Sequence, residues 1–402
     1  MTATCLRVAG QTTSFWRMRQ ISTLILLFTL AMIAGAAAEP TKFLTSTPLS
    51  TRGSQIVDAK GTSVRIVSVG MWPDNGADHK MELIAEAGFN TVRLDWSNRS
   101  IDKLSELDRI IAGAGRAHLK VILDDHSNEA GAPGPWKPCY AQQVNGLWYD
   151  SGGASDDTDG CHNRGTVTDA KFIQDWQTVA RHFLSNDTVI GYDLWNEPSG
   201  YPGMSTWEEG DRNPTHNIRW MCERAGNAVL AIDPNKLIVC EGPMNGQRSL
   251  ADPKTPAPWG DLSLVKKYPV QLSVPNKLVY SVHDYPTEIA GYKPDSGPEK
   301  VAQMNKVWGY LVRDHIAPVW IGEMGANMTT EDHRRWAKTL IAYANGELGA
   351  AGGPTFGDGE QGIGIDWWFA GFAAYSNPTG IFDDTGHLNP VQRATYTRFL
   401  GR

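Results

Sequence analysis

Eight short apolar runs alternating with helical stretches predict an α/β fold, a (β/α)8 or TIM barrel forming a single catalytic-size domain. Three observations carry that expectation. The runs VRIVSVG, NTVRLDW, KVILDDH, VIGYDLWNE, KLIVCEG, KLVYSVHDY, APVWIGEMG and GIGIDWWFA have largely apolar centres, as strands covered on both faces need. Longer segments of helical spacing lie between them, so neighbouring strands run parallel. Most of the runs end on polar or charged residues where packing alone prefers none, and in this architecture the C-terminal strand ends form one open face.

Taken in order, the chain begins with Arg17 and Arg19 followed by ISTLILLFTLAMIAGAAAEP, an apolar stretch closing in small residues. A basic flank, an apolar centre and Ala36-Ala37-Ala38 make residues 1–38 a secretory signal, leaving residues 39–402 as the exported, secreted protein. The run is shorter than the roughly 20 apolar residues a membrane span needs, and no later segment is more apolar. A hairpin is expected at about 48–63, where Asp58-Ala59-Lys60-Gly61 supplies the turn. Helices are expected over 79–88, 101–118, 169–185, 218–232, 300–315 and 331–346, with the crossover between the fifth and sixth runs poorly defined around 261–268. The insertions 127–168 and 242–276 belong to βα loops. No Pro- or Ser-rich linker divides the chain.

A net charge of -7 without any basic run argues against nucleic acid, and no phosphate loop is present. Fifteen Trp residues are many for a water-exposed surface unless flat amphipathic ligands such as sugars are held there. Cys5 leaves with the signal, and Cys139, Cys161, Cys222 and Cys240 remain. Of three possible connectivities the local pairing, Cys139–Cys161 and Cys222–Cys240, closes the shortest loops and is expected in an oxidising compartment. No Cys-x-x-Cys spacing supports zinc.

The strand tips carry Arg93, His126, Asn196 with Glu197, His283 with Tyr285, and Glu323. Two carboxyls at strand ends, surrounded by donors, suit glycoside hydrolysis, in which one must be protonated and the other ionised. No metal or cofactor is required. The segment SDDTDGCH lacks the first and last ligands of a calcium loop. In LDDH, strand alternation keeps Asp124 and Asp125 from both facing with His126. Asn-x-Ser/Thr triplets at Asn98, Asn186 and Asn327 are chance-level.

YDLWNEPSG, with LVYSVHDY and APVWIGEMG, resembles glycoside hydrolase family 5, and within it the secreted bacterial endo-β-1,4-glucanases, or cellulases, over residues 49–389. The resemblance implies Glu197 as general acid/base and Glu323 as nucleophile. It makes Arg93 and Tyr285 the holders of the nucleophile, gives Asn196 a sugar hydroxyl, and places His126 and His283 in the same subsite. Family members set a Trp after strand eight as a platform; in GIDWWFAGF either Trp368 fills that place or Ala370 stands there. Trp72, after the first run, is a second platform candidate. Trp136, Tyr140, Trp148, Tyr149, Tyr201, Trp207 and Trp259 are expected to stack sugars along an open groove, so a β-1,4-glucan is cut internally with retention. A β-mannanase or other family 5 β-glycosidase, or a non-catalytic polysaccharide-binding barrel, is the alternative. The only partner expected is the polysaccharide, bound by a monomer.

Overall fold

The computed structural model describes residues 44, 46–73, 77–127, 147–149, 167–200, 206–207, 217–245, 248–257, 259–291, 293–368, 380–383 and 386–400. All lie within the unit Pro40–Gly401. Residues 1–38, Cys139, Cys161, the acidic loop at 155–162, Trp136, Tyr140, Tyr201 and Ala370 lie outside the described residues.

Eight parallel strands close on themselves: β1 (Val67–Met71), β2 (Thr91–Ser97), β3 (Lys120–Ser127), β4 (Val189–Asp193), β5 (Leu237–Glu241), β6 (Leu278–Asp284), β7 (Val319–Met324) and β8 (Gly364–Trp367). β8 returns to β1 with Ile365 opposite Val67 and Trp367 opposite Val69, which completes the (β/α)8 barrel. Alternation sorts the side chains. Outward residues such as Val92, Leu94, Val121 and Trp367 pack against helices, while Ile66, Ile122, Ile190, Leu237, Val239, Val279 and Trp320 form a separate cluster inside the barrel. A three-stranded antiparallel sheet, Ser50–Arg52, Gln55–Val57 and Ser63–Val64, precedes β1 in the stretch where the sequence predicts a hairpin. Its turn is held by Asp58 Oδ1, which accepts from the Lys60 and Thr62 N–H groups. Leu44, Leu49 and Ile56 join the inner cluster, so the N-terminal end of the barrel is plugged by the hairpin and the open end is the other one.

The helices start where polar caps stand. Thr168, Asn217 and Thr330 each accept a backbone N–H of the helix they precede, opening Asp169–His182, Ile218–Leu230 and Glu331–Ala344. In Leu104–Arg116 the buried Leu104, Leu107, Ile110, Ile111 and Ala114 repeat at helical spacing against the sheet. Turns at 263–267 occupy the crossover between β5 and β6 that the sequence leaves poorly defined. Among the described residues no helix is long and apolar enough to cross a membrane. Cys222 is bridged to Cys240, joining Ile218–Leu230 to β5.

The aromatic residues of the insertions divide. Trp148, Tyr149 and Trp207 are buried, which overturns the expectation that they stack on sugars. Trp148 Nε1 donates to Asp169 and Trp207 Nε1 to the Tyr268 carbonyl, so each indole packs its own loop against the barrel and spends its polar edge there. Trp259 remains half-buried, edge-on to Tyr285 with ring centroids 6.1 Å apart. The triplet Asn98 is buried too, its amide donating to Asp175.

Candidate active site

Beyond the end of β4 the chain stays wedged between its neighbours. The Leu194 N–H reaches the Val239 carbonyl and the Asn196 N–H the Asp125 carbonyl. Glu197 then takes a φ of +45°, a region few non-glycine residues occupy, and Pro198 carries the chain away. A buried strand thus delivers a carboxyl because backbone partners hold it to its last residue. On β6 and β7 a register shift after Val282 sets His283 directly opposite Glu323.

Arg93, on β2, is fully buried and joins these tips. Its Nη1 donates to Glu323 Oε1 at 2.8 Å, its Nη2 to Asn196 Oδ1 at 2.8 Å and its Nε to Asp193 Oδ2 at 3.0 Å. Asp124 Oδ1 lies 2.9 Å from the same guanidinium. Tyr285 donates its hydroxyl to Glu323 Oε2 at 2.6 Å, so both oxygens of Glu323 are held. His283 Nδ1 lies 3.1 Å from Glu197 Oε1, and one oxygen of Glu197, one of Glu323 and a His283 nitrogen all fall within 4.8 Å of one another. The Glu197 side chain is 20 % exposed and that of Glu323 4 %, so one carboxyl meets solvent while the other lies beneath it.

His126 completes the group, its Nε2 3.3 Å from Asn196 Nδ2. Burial lowers the pKa of His126, but Asp95 and Asp124 outweigh it and raise the value to about 9. Burial lowers that of His283 to about 3 and keeps the ring neutral. Tyr285 is pushed up by burial and then by the Glu323 charge, and stays a donor.

Asp366 on β8 and Trp368, one residue past its end, both lie against Gly70 inside the barrel, whereas Trp367 points into the outer core. Trp368 therefore stands at the barrel mouth, stacked on His126 at 5.1 Å and 7°, with the Arg93 guanidinium 5.8 Å from its ring centroid. Gly70 makes room for it: a Cβ there would stand 2.2 Å from the indole. Trp72 meets His126 edge-on at 4.8 Å and Trp368 at 6.1 Å. All nine side chains singled out at the strand ends and platforms thus meet around one opening.

Among the described residues two groups of three offer metal-ligand atoms, Asp95 with Asp124 and His126, and Glu197 with His283 and Glu323. Arg93 pairs with Asp124 in the first and Glu323 in the second, so positive charge is already supplied in both. Of the acids buried below the mouth, the strand-tip reading missed Asp95, Asp193, Glu241 and Asp366. Each sits in an apolar run, the same signal that marks Glu323.

Residues 54–352 match the model of the cellulase family, glycosyl hydrolase family 5. The chain belongs to that family. It is 28 % identical over 333 residues to an endoglucanase of Paenibacillus polymyxa, covering 73 % of this chain and 75 % of that one. It is 27 % identical over 356 residues to endoglucanase B of Acetivibrio thermocellus, covering 71 % of this chain and 59 % of the relative. An endocellulase from the archaeon Pyrococcus horikoshii shares the fold, with a TM-score of 0.66 at 22 % identity over 89 % of this chain and all of that one. The family 5 barrel therefore extends on both sides of the tip residues, and its mouth is where they gather.

Proposed function

We propose that this family 5 hydrolase is a secreted, retaining endo-β-1,4-glucanase with Glu197 as acid/base and Glu323 as nucleophile. The observation that carries the reading is the separation of the two carboxyls. Retaining glycosidases hold them about 5–5.5 Å apart and inverting ones about 6.5–9.5 Å, with room for a water between. Oxygens within 4.8 Å support the first arrangement.

In the first step Glu323 attacks the anomeric carbon and the bond to the leaving oxygen breaks as Glu197 gives that oxygen its proton. Arg93 and Tyr285 favour the ionised Glu323 and aim it. In the second step Glu197 takes a proton from water, the water oxygen bonds the same carbon, and Glu323 leaves as a carboxylate. Asn196 and His126 face the sugar hydroxyls beside the reacting carbon, and Trp368 lies under the ring.

Trp72 follows β1 and Trp259 follows β5, strands on opposite sides of the closed barrel, so apolar platforms flank the acids in both directions. A chain running across the mouth fits this better than one ending in it. The endoglucanase relatives favour glucan, and the signal-like N-terminus with the Cys222–Cys240 bridge favours export. The test has three readings. The first-formed product should keep the β-configuration by NMR. Viscosity of carboxymethyl cellulose should fall before reducing ends accumulate. Glucan should be cut faster than mannan. An α-product refutes the mechanism, and faster mannan hydrolysis refutes only the substrate.

A further inference from the structure

A third carboxyl, that of Glu241 at the end of β5, has no part in the steps above although it touches both groups that face the reaction. Its Oε2 accepts a 2.7 Å hydrogen bond from the Glu197 backbone N–H. The same oxygen lies 3.4 Å from His283 Nε2. Across that ring, Nδ1 lies 3.1 Å from Glu197 Oε1 and 3.5 Å from Glu323 Oε2. Resting on the glycosidase reading, we propose that Glu241 is a positioning residue. Its Oε2 takes both the Glu197 backbone N–H and the His283 Nε2–H, so that a bare Nδ1 faces the Glu197 carboxyl.

The surroundings are built to keep these groups together. The Met244 N–H donates to the Pro198 carbonyl, and Ser199–Gly200 pairs with Met244–Asn245, so the loops after β4 and β5 are tied beside the contact. The His283 N–H is held by the Trp259 carbonyl. β7 admits the ring with Gly322, where a Cβ would stand 3.1 Å from Nε2. At 3.4 Å the contact is longer than a formed hydrogen bond, and His283 Nε2 has no hydrogen-bond partner among the described residues, so Oε2 is the acceptor that a small closing movement would bring to it.

A neutral imidazole carries one N–H, and its position decides what Glu197 meets. On Nδ1 it would donate to the carboxylate and favour the ionised form. With the N–H on Nε2, Nδ1 accepts the O–H of protonated Glu197 and favours the acid that the first step needs. A fixed acceptor at Nε2 selects the second state. The groups facing Glu241 are Glu197 and Asp193 from the β4 side, Arg93 on β2 and His283 on β6. Burial first, and then the Glu197 charge, push the Glu241 carboxyl well above its ordinary range despite Arg93. It is then an uncharged acid whose carbonyl oxygen accepts, with the proton on Oε1, an atom without a hydrogen-bond partner among the described residues.

Acid assistance matters for a poor leaving group and little for a good one. Glu241→Met, which removes the acceptor, should lower kcat/KM about 100-fold on phenyl β-cellobioside and less than about threefold on the 2,4-dinitrophenyl compound. Its alkaline limb on the phenyl substrate should move to lower pH. Glu241→Gln, which restores the carbonyl, should recover most of the loss. Equal losses on both substrates, or a Gln variant as impaired as Met, overturn the proposal. Nitrogen-15 NMR of histidine-labelled wild type gives a reading that needs no folded Met variant, with His283 assigned by the signals lost in His283→Gln. The Nε2–H tautomer is expected, and the Nδ1–H tautomer overturns the proposal. A wild type that cleaves neither cellobioside refutes the proposed activity instead, and the tautomer still decides the Glu241 contact.

Discussion

A guanidinium enclosed at the barrel mouth needs anions around it, and Arg93 has Asp124, Asp193 and Glu323 within 3.0 Å. Arg93 and His126 are two cations among many acids: burial pushes Asp193 up to about 7 and Asp95 and Asp366 well above their ordinary range, while Arg93 and His126 hold Asp124 low against the same burial. Glu323 has both oxygens fixed by donors, so its amide analogue should fold and not react. Glu323→Gln is expected to reduce kcat by at least about 1,000-fold while the protein still unfolds in one cooperative transition, read by reducing-sugar release and calorimetry. Tyr285→Phe removes one donor and keeps the ring; kcat should fall about 100-fold with KM little changed. These tip residues were readable in the sequence because a polar side chain at the end of an apolar run is exceptional. Glu241 met the same rule in KLIVCEG, yet its importance lies in contacts with Glu197 and His283, which only the closed barrel brings together.

At the scale of strands and helices, alternation decided what could be read in advance. The separation of Asp124 from Asp125 followed from it, and so would the inward turn of Trp368 beside an outward Trp367, had the phase of β8 been known. That phase is set by pairing with β7 and β1, where a register shift after Ile321 intervenes. The burial of Trp148 and Trp207 had no such periodicity to reveal it, because loop aromatics obey only the packing of their own insertion. The tip of β6 shows how helices steady the mouth. Asp284 Oδ2 binds Lys300 Nζ at 2.6 Å from Gly297–Met304, and its Oδ1 accepts from Trp336 Nε1 at 2.8 Å from Glu331–Ala344. Both charged side chains are buried. Lys300→Met should strand the Asp284 carboxylate and cost about 3–5 kcal/mol in urea unfolding. Adding Asp284→Asn to Lys300→Met should recover part of that loss.

For the molecule as a whole, the buried titratable groups bend stability with pH. His126 has a folded pKa of about 9, above its unfolded value, so its contribution is full below about pH 6.5 and disappears as pH rises through 9. Asp193, raised to about 7, has the same sign: the unfolded chain ionises first, and stability falls from about pH 4 to 7. His283, held near 3, acts oppositely and costs stability as pH falls below about 6.5. Asp95, Glu241 and Asp366, also raised by burial, share the sign of Asp193, so the His126 part between pH 7 and 9 is read by difference: the melting temperature should decline there less in His126→Gln than in wild type. The Cys222–Cys240 bridge offers a second view of the same molecule, in time. Both cysteines are 1 % exposed, so a reductant must wait for the barrel to open. With excess dithiothreitol and an alkylating agent, the rate at which labels appear on the Cys222 and Cys240 peptides, resolved from Cys139 and Cys161 by digestion and mass, becomes the rate at which β5 parts from Ile218–Leu230. That strand carries Glu241, so the label is a stopwatch on the part of the wall behind Glu197, and an oligosaccharide lying across the mouth should slow it.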